Sequence, residues 1–210
     1  MRAAAGTDLS ALDQLGMAIA ITAEHQRVQA PGHTVEVLPH QDPPQHATTC
    51  VVDASTPAKI LAAEGQNESV KAAFDQLEGR GISRLHPGFD ILTIVEGEID
   101  RMIELKSSTV DAQVQAMSWN EWKTARASDL REHFWLYLAG NLRADLPHAK
   151  PFLRAIRDPF GSLLGTAQDD VIVRRAVQLR VREFGQAEDF PLGVIEHDTT
   201  PKPPVPGVLA

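Results

Sequence analysis

The chain has a single cysteine, Cys50, so no intramolecular disulfide can form and the core must hold by packing alone. That usage suits the cytoplasm. No apolar run approaches the ~18–20 residues needed to span a bilayer, which argues against a membrane role. Asp8 and Asp13 precede the first apolar run, which speaks against a secretory signal. Positive charge is not in excess either: 20 Lys and Arg stand against 28 Asp and Glu, for a formal net charge of −8. Overall charge therefore does not favour nonspecific nucleic-acid binding, although a local basic patch is compatible with it. Internal repeats, a Gly-rich phosphate loop, a nucleophile elbow and a Cys/His dyad are all lacking, which argues against NTPase and acyl-transfer chemistry. What is present is 43% hydrophobic residues in 210, enough for a proper core in one domain or slightly more.

The most informative stretch is 86–108, HPGFDILTIVEGEIDRMIELKSS. Phe89–Val95 and Ile99–Lys106 read as two strands around Glu96-Gly97-Glu98, a hairpin signal. Side chains alternate faces in a strand, so Glu104 and Lys106 share one face while Ile103 and Leu105 share the other. A three-residue turn at 96–98 places Asp90 opposite Glu104, and a slip of one residue would break that geometry. Three charges on one strand face are compatible with simple exposure to water. They are equally compatible with a metal site: two carboxylates are hard oxygen ligands for Mg²⁺, and a neighbouring Lys can orient water or stabilise charge developing on a phosphate.

This pattern resembles the PD-(D/E)XK nuclease core. Asp90 matches its single acid, and Glu104-Leu105-Lys106 matches its acid-x-Lys element. The preceding Pro-Asp is not intact, because Gly88 and Phe89 separate Pro87 from Asp90. A longer run, GFDI, IELKSS, SWNEWKTA and HFWLYLAGNL, resembles the C-terminal domain of the plant protein NO VEIN over about residues 86–160. That family is nuclease-like and is often appended to helicases and large ATPases, including bacterial phage-defence proteins. The resemblance implies Mg²⁺ or Mn²⁺ held by Asp90 and Glu104, with Lys106 positioning the attacking water. Nuclease cores of this kind often carry a further acid on a preceding helix, for which Glu24 and Glu68 are rivals. The resemblance also implies that polar residues on the helix after the acid-x-Lys strand, Asn120 or Glu121, can reach the metal site.

Residues 8–28 read as a helix, apolar on all sides through GMAIAITA and therefore buried. Glu24 and Arg27 sit at i,i+3, and a local ion pair explains them without any catalytic role. Residues 30–50 hold Pro31, Pro39, Pro43 and Pro44 and read as loop. The spacing of His40, His46 and Cys50 fits no established zinc pattern and lacks a fourth ligand. TCVVDA (49–54) is a strand candidate. Thr56-Pro57 starts a helix that Gly65 stops, and Asn67 caps a second helix over 68–78. In that helix the dipole alone favours Glu68 in the first turn. Residues 107–117 read as a polar connection. Ser118 and Glu121 form a capping box at the head of a helix over about 119–131, with Trp119 and Trp122 as core anchors. His133–Ala139 reads as a buried strand carrying Trp135 and Tyr137 on one face. LRAI (153–156) is another short strand or turn. Residues 176–184 alternate as a half-exposed strand. Its Arg180 and Arg182, with Arg174 and Arg175, form the densest basic cluster, suited either to nucleic acid or to guarding an edge strand.

These readings assemble into an α/β (α+β) fold, a restriction-endonuclease-like mixed sheet flanked by helices. Residues 1–60 form an N-terminal helix and loop-rich adjunct, 61–195 the nuclease-like core, and 196–210 a Pro-rich tail. The expected function is a metal-dependent phosphodiesterase acting on nucleic acid, DNA above all, beside a helicase or ATPase in the same chain or complex. The alternative is a nuclease-fold module that binds nucleic acid or protein without catalysis.

Overall fold

The computed structural model describes residues 9–31, 34–40, 46–111, 114–143, 150–162, 176–180 and 188–190. Its frame is a mixed seven-stranded sheet in the order β1-β2-β3-β4-β6-β7-β9. The strands are β1 Val35–Leu38, β2 Thr49–Asp53, β3 Ile91–Val95, β4 Glu98–Ser107, β6 Phe134–Gly140, β7 Phe152–Arg157 and β9 Glu188–Phe190. β5 (Val114–Ser118) and β8 (Ala176–Arg180) pair separately, antiparallel. Pairing in the large sheet is parallel at β1–β2 and β4–β6 and antiparallel elsewhere. The mixed α/β fold read from the sequence is the one present. The 1–60 segment contributes α1 (Leu9–Val28), β1 and β2, so its two strands extend the same sheet. The 196–210 tail lies outside the described residues.

The two faces of the sheet bury different cores. α1 packs Leu12, Ile19, Ala20 and Ala23 against Val51, Ile91, Ile103, Leu105, Trp135 and Tyr137. On the other face, α2 (Pro57–Gln66), α3 (Glu68–Gly79) and α4 (Trp119–Ala125) lie over Val52, Leu92, Ile94, Met102, Phe134 and Leu136. The caps that start these helices are those the sequence announces. Thr56 accepts from Lys59 N with Pro57 in the first turn, and Asn67 accepts from Ser69 N and Val70 N.

Several local expectations are corrected. Residues 30–50 are not all loop: Val35–Leu38 pairs in parallel with β2, since the prolines flank this run rather than interrupt it. The 107–117 connection ends in β5, whose partner β8 lies some sixty residues along the chain and leaves no local signal. α4 ends at Ala125, and a 3₁₀ turn over Arg131–His133 precedes β6. Trp122 is buried against Phe160, whereas Trp119 is 48% exposed and anchors no core. The hairpin turn has two residues, not three: Glu96 and Gly97 both adopt positive φ, 54° and 85°, and Val95 pairs with Glu98. This is the turn whose twist suits a two-residue hairpin, and it favours glycine at the second position.

Glu24 lies on the α1 face and is fully buried. Arg27 Nε donates to it at 3.0 Å and Thr93 Oγ1 at 2.9 Å, and the Tyr137 hydroxyl donates to it as well. Arg101 stands 3.5 Å away and lies over the Trp135 ring. Arg27 also pairs with Asp100, which ties the helix to β4. Burial, and next the Glu24 charge, push the Tyr137 hydroxyl above its ordinary value, so it stays protonated and donates. Removing one partner of a buried ion pair typically costs about 3–5 kcal/mol. We therefore expect Glu24→Ala to lower the melting temperature by roughly 6–20 °C at about 2–4 °C per kcal/mol, with Glu24→Gln losing less. A loss of about 1 kcal/mol or less would show that the network contributes no more than a surface pair.

Candidate functional site

β4 carries its core face directly into the site. Met102 is fully buried beneath the helices, and Glu104 and Lys106 continue the same face toward the strand end. Asp90 immediately precedes β3. Its N–H donates to Ile103 O at 2.8 Å, and its Oδ2 accepts from Leu105 N at 2.9 Å. The Asp90 carboxylate is thus fixed to the backbone between Glu104 and Lys106. The register Ile91↔Ile103 sets Asp90 against Glu104, as expected, although by a different route. The shorter turn shifts the pairing by one residue, and a bulge at Asp100, between the pairs Ile94↔Ile99 and Thr93↔Arg101, shifts it back.

Lys106 Nζ donates to Glu104 Oε1 at 2.5 Å and to Glu121 Oε2 at 2.8 Å. The same Glu121 oxygen accepts from Ser118 N at 2.9 Å, closing the capping box of α4. Glu121 therefore serves both roles the sequence offered, helix cap and neighbour of the acidic cluster. Asn120 is engaged with the preceding loop, where its Nδ2 donates to His86 O at 2.7 Å; Thr124 Oγ1 donates to Pro87 O at 2.9 Å. Gly88 completes this staple at φ 77°, and a Cβ there would meet Asn120 O at 2.8 Å. α4 and the loop leading to Asp90 thus form one unit.

The electrostatics are those of crowded, half-dry carboxylates. Burial raises Asp90 above its ordinary value, against the Leu105 N–H and Lys106, with Glu121 and Asp53 adding to the rise. Burial, then the Asp90 charge, hold Glu104 well above the ordinary 4.5 despite Lys106. Burial pulls Lys106 down, but Glu104 and Glu121 outweigh it and keep the ammonium protonated. Burial would raise Glu121, but Lys106 and the cap hold it low.

The cluster opens on two clefts. One, of about 720 Å³, runs past Asp13, Met17 and Ala18 of α1 to Ser55, Asp53 and Lys59. The other, of about 470 Å³, runs past His86 and Asn120 to Leu85. Asp13, Asp53 and Lys59 were not singled out from sequence. Lys59 Nζ pairs with Asp53 Oδ2 at 2.7 Å, and only the fold brings that pair to Asp90. Glu24 is not brought to the site, because it lies on the opposite face of the sheet. Glu68 is exposed at the head of α3 and lines neither cleft. Arg174, Arg175 and Arg182 lie outside the described residues, as does the Arg180 side chain, although Arg180 itself ends β8. Cys50 is buried, its thiol pushed up to about 12 by burial and then Glu36, which makes it a poor ligand.

The donor chemistry fits a hard divalent cation. Asp90 and Glu104 supply carboxylate oxygens, and a cation would offset the repulsion that Glu104 meets from Asp90. Among the described residues no three His, Cys, Asp or Glu side chains gather as a metal-holding group. Two carboxylates completed by water and substrate phosphate is a usual arrangement for Mg²⁺.

Fold and site together define a mixed α/β domain with a carboxylate pair and a lysine at the end of its central hairpin. Residues 61–151, somewhat under half of the chain, match the family model described as Protein NO VEIN, C-terminal. The match includes Asp90, Glu104, Lys106 and Glu121, and begins just after Lys59. No curated protein and no solved structure matches the chain. No helix among the described residues is long and apolar enough to cross a membrane.

A carboxylate raised in the folded state binds its proton more tightly there than when unfolded, so stability falls as pH rises above the unfolded value. For Glu104 that value is near 4.5. We expect Glu104→Gln, without added metal, to raise the melting temperature at pH 7 and to bring no gain at or below about pH 4, where the carboxyl is protonated in both states. An equal gain at both pH values would contradict the assignment.

Proposed function

We propose that the domain is a metal-dependent nuclease acting on nucleic acid, DNA in the first instance, with Mg²⁺ or Mn²⁺ held by Asp90 and Glu104. The observation that carries this reading is the pairing of Asp90 with Glu104, with Lys106 beside them in an open cleft. The bound cation supplies Lewis acidity toward the scissile phosphate and toward water. Lys106, kept protonated by its two carboxylates, is a donor with three N–H groups. It orients the attacking water and stabilises charge developing on the phosphate, and does not itself take the proton. Glu121 holds the ammonium in place from the helix side. By the resemblance of the matched segment, the domain works within a larger DNA-processing or phage-defence assembly that includes a helicase or ATPase.

One observation favours a second reading, a nuclease-fold module that binds without cleaving. Lys106 Nζ is already held at 2.5 and 2.8 Å by two carboxylates, an arrangement that is satisfied without substrate.

Two measurements separate these readings. Calorimetry should show Mn²⁺ binding to the wild-type chain and none to Glu104→Ala, with melting curves confirming that both fold. Lys106→Ala should then lower cleavage of a DNA and RNA panel by about 100-fold or more with the fold intact. Equal nucleic-acid binding by wild type and Lys106→Ala, with cleavage by neither, would establish the binding module in place of the enzyme.

A further inference from the structure

The acidic cluster is the shared wall of two clefts. Ser55, Asp90, Glu104 and Glu121 line both. The volumes, about 720 and 470 Å³, each fall within the range of a site for a drug-sized ligand. A site that works on a strand end needs one cleft, with its reactive groups at the closed end. Here the reactive carboxylates lie between two open ones.

We propose that a nucleic-acid strand crosses this cluster with its two flanks in the two clefts, so that the bond presented to Asp90 and Glu104 is internal and no free end is required. This rests on the nuclease-like reading of the site and adds its mode of substrate engagement. The two flanks are unequal. The α1 side offers Lys59, whose side chain is 43% exposed, with Nζ held by Asp53 at 2.7 Å and Ser55 at 3.1 Å. That ammonium faces the phosphate backbone. Among the described residues no Lys or Arg lines the other cleft, where Asn120, His86 and the 56%-exposed Leu85 suit sugar and base.

The test uses the full chain carrying Lys106→Ala in Mg²⁺, with one single-stranded DNA sequence in linear and in covalently closed circular form. Equal affinity for the two forms is expected, and loss of binding on closing the circle overturns the proposal. Ala18→Glu and Leu85→Glu place one repelling charge in each cleft, at exposed positions. Each should weaken binding about fivefold. Weakening by only one confines the ligand to one cleft and overturns the proposal. With the wild-type chain, circle binding without cleavage removes the nuclease chemistry and leaves this inference standing. Cleavage confined to linear ends does the reverse. Binding to neither form overturns both.

Discussion

Lys106 is the cation that allows two carboxylates to face each other at the edge of a core. β4 runs from Met102 into Glu104 and Lys106 without a break, so the charges sit next to packed apolar side chains rather than on a loop. Burial penalises both Asp90 and Glu104; the Asp90 charge raises Glu104 further, and Glu121 and Asp53 raise Asp90. The ammonium at 2.5 Å from Glu104 offsets part of that cost, and Glu121, fixed by its helix cap, keeps the ammonium from turning away. The remaining repulsion is what a divalent cation would relieve. A site built this way is stiff, because every member is set by a strand or by a cap.

Glu24 of α1 is another buried acid, and it contrasts with Glu104. Glu24 receives N–H or O–H donors from Arg27, Thr93 and Tyr137, with Arg101 close by. Its negative charge is surrounded by donors and cations, so it serves to fasten α1 to β3, β4 and β6. Glu104 has one cation and two like-charged neighbours, Asp90 and Glu121, and its pKa rises. A buried acid with saturated donors fastens a fold, whereas a buried acid raised by a like charge in a cleft is a candidate for chemistry. Burial alone does not separate the two residues, since Glu24 is fully buried and Glu104 nearly so.

The acid-x-Lys spacing was legible because strand alternation is rigid: two residues apart means one face. The pairing of Asp90 with Glu104 was legible as well, but through two departures that cancel, a shorter turn and a bulge at Asp100. Neither leaves a mark in composition. Helix starts at Thr56, Asn67 and Ser118 were legible because a cap is local chemistry. β5 was not, because its partner β8 is remote, and Val35–Leu38 was hidden among prolines that turned out to flank it. Glu24 fitted a nuclease-like helix acid by order along the chain, and chain order says nothing about which side of a sheet a helix covers. Asp53 and Lys59 carried no signal because their place at the site is set by β2 and α2 lying beside β3.

The match to the NO VEIN C-terminal family covers the acids and the lysine but not the α1 flank, Asp53 or Lys59. The acidic cluster and the smaller cleft's Leu85, His86 and Asn120 therefore lie within the matched segment, and the α1 wall of the larger cleft lies outside it. The larger cleft is lined by Asp13, Asp53, Asp90, Glu104 and Glu121 against only Lys59 and Lys106. Such a surface repels a polyanion at long range, in keeping with the net charge of −8. On the proposed reading, a phosphate would settle where cations are concentrated: at Lys59, at Lys106, and at a divalent ion held by Asp90 and Glu104. Ligand and cation then bind with mutual reinforcement, each lowering the electrostatic cost of the other. If the proposed nuclease reading holds, an acidic domain of this kind would favour a strand brought to it by a neighbour over one captured from solution.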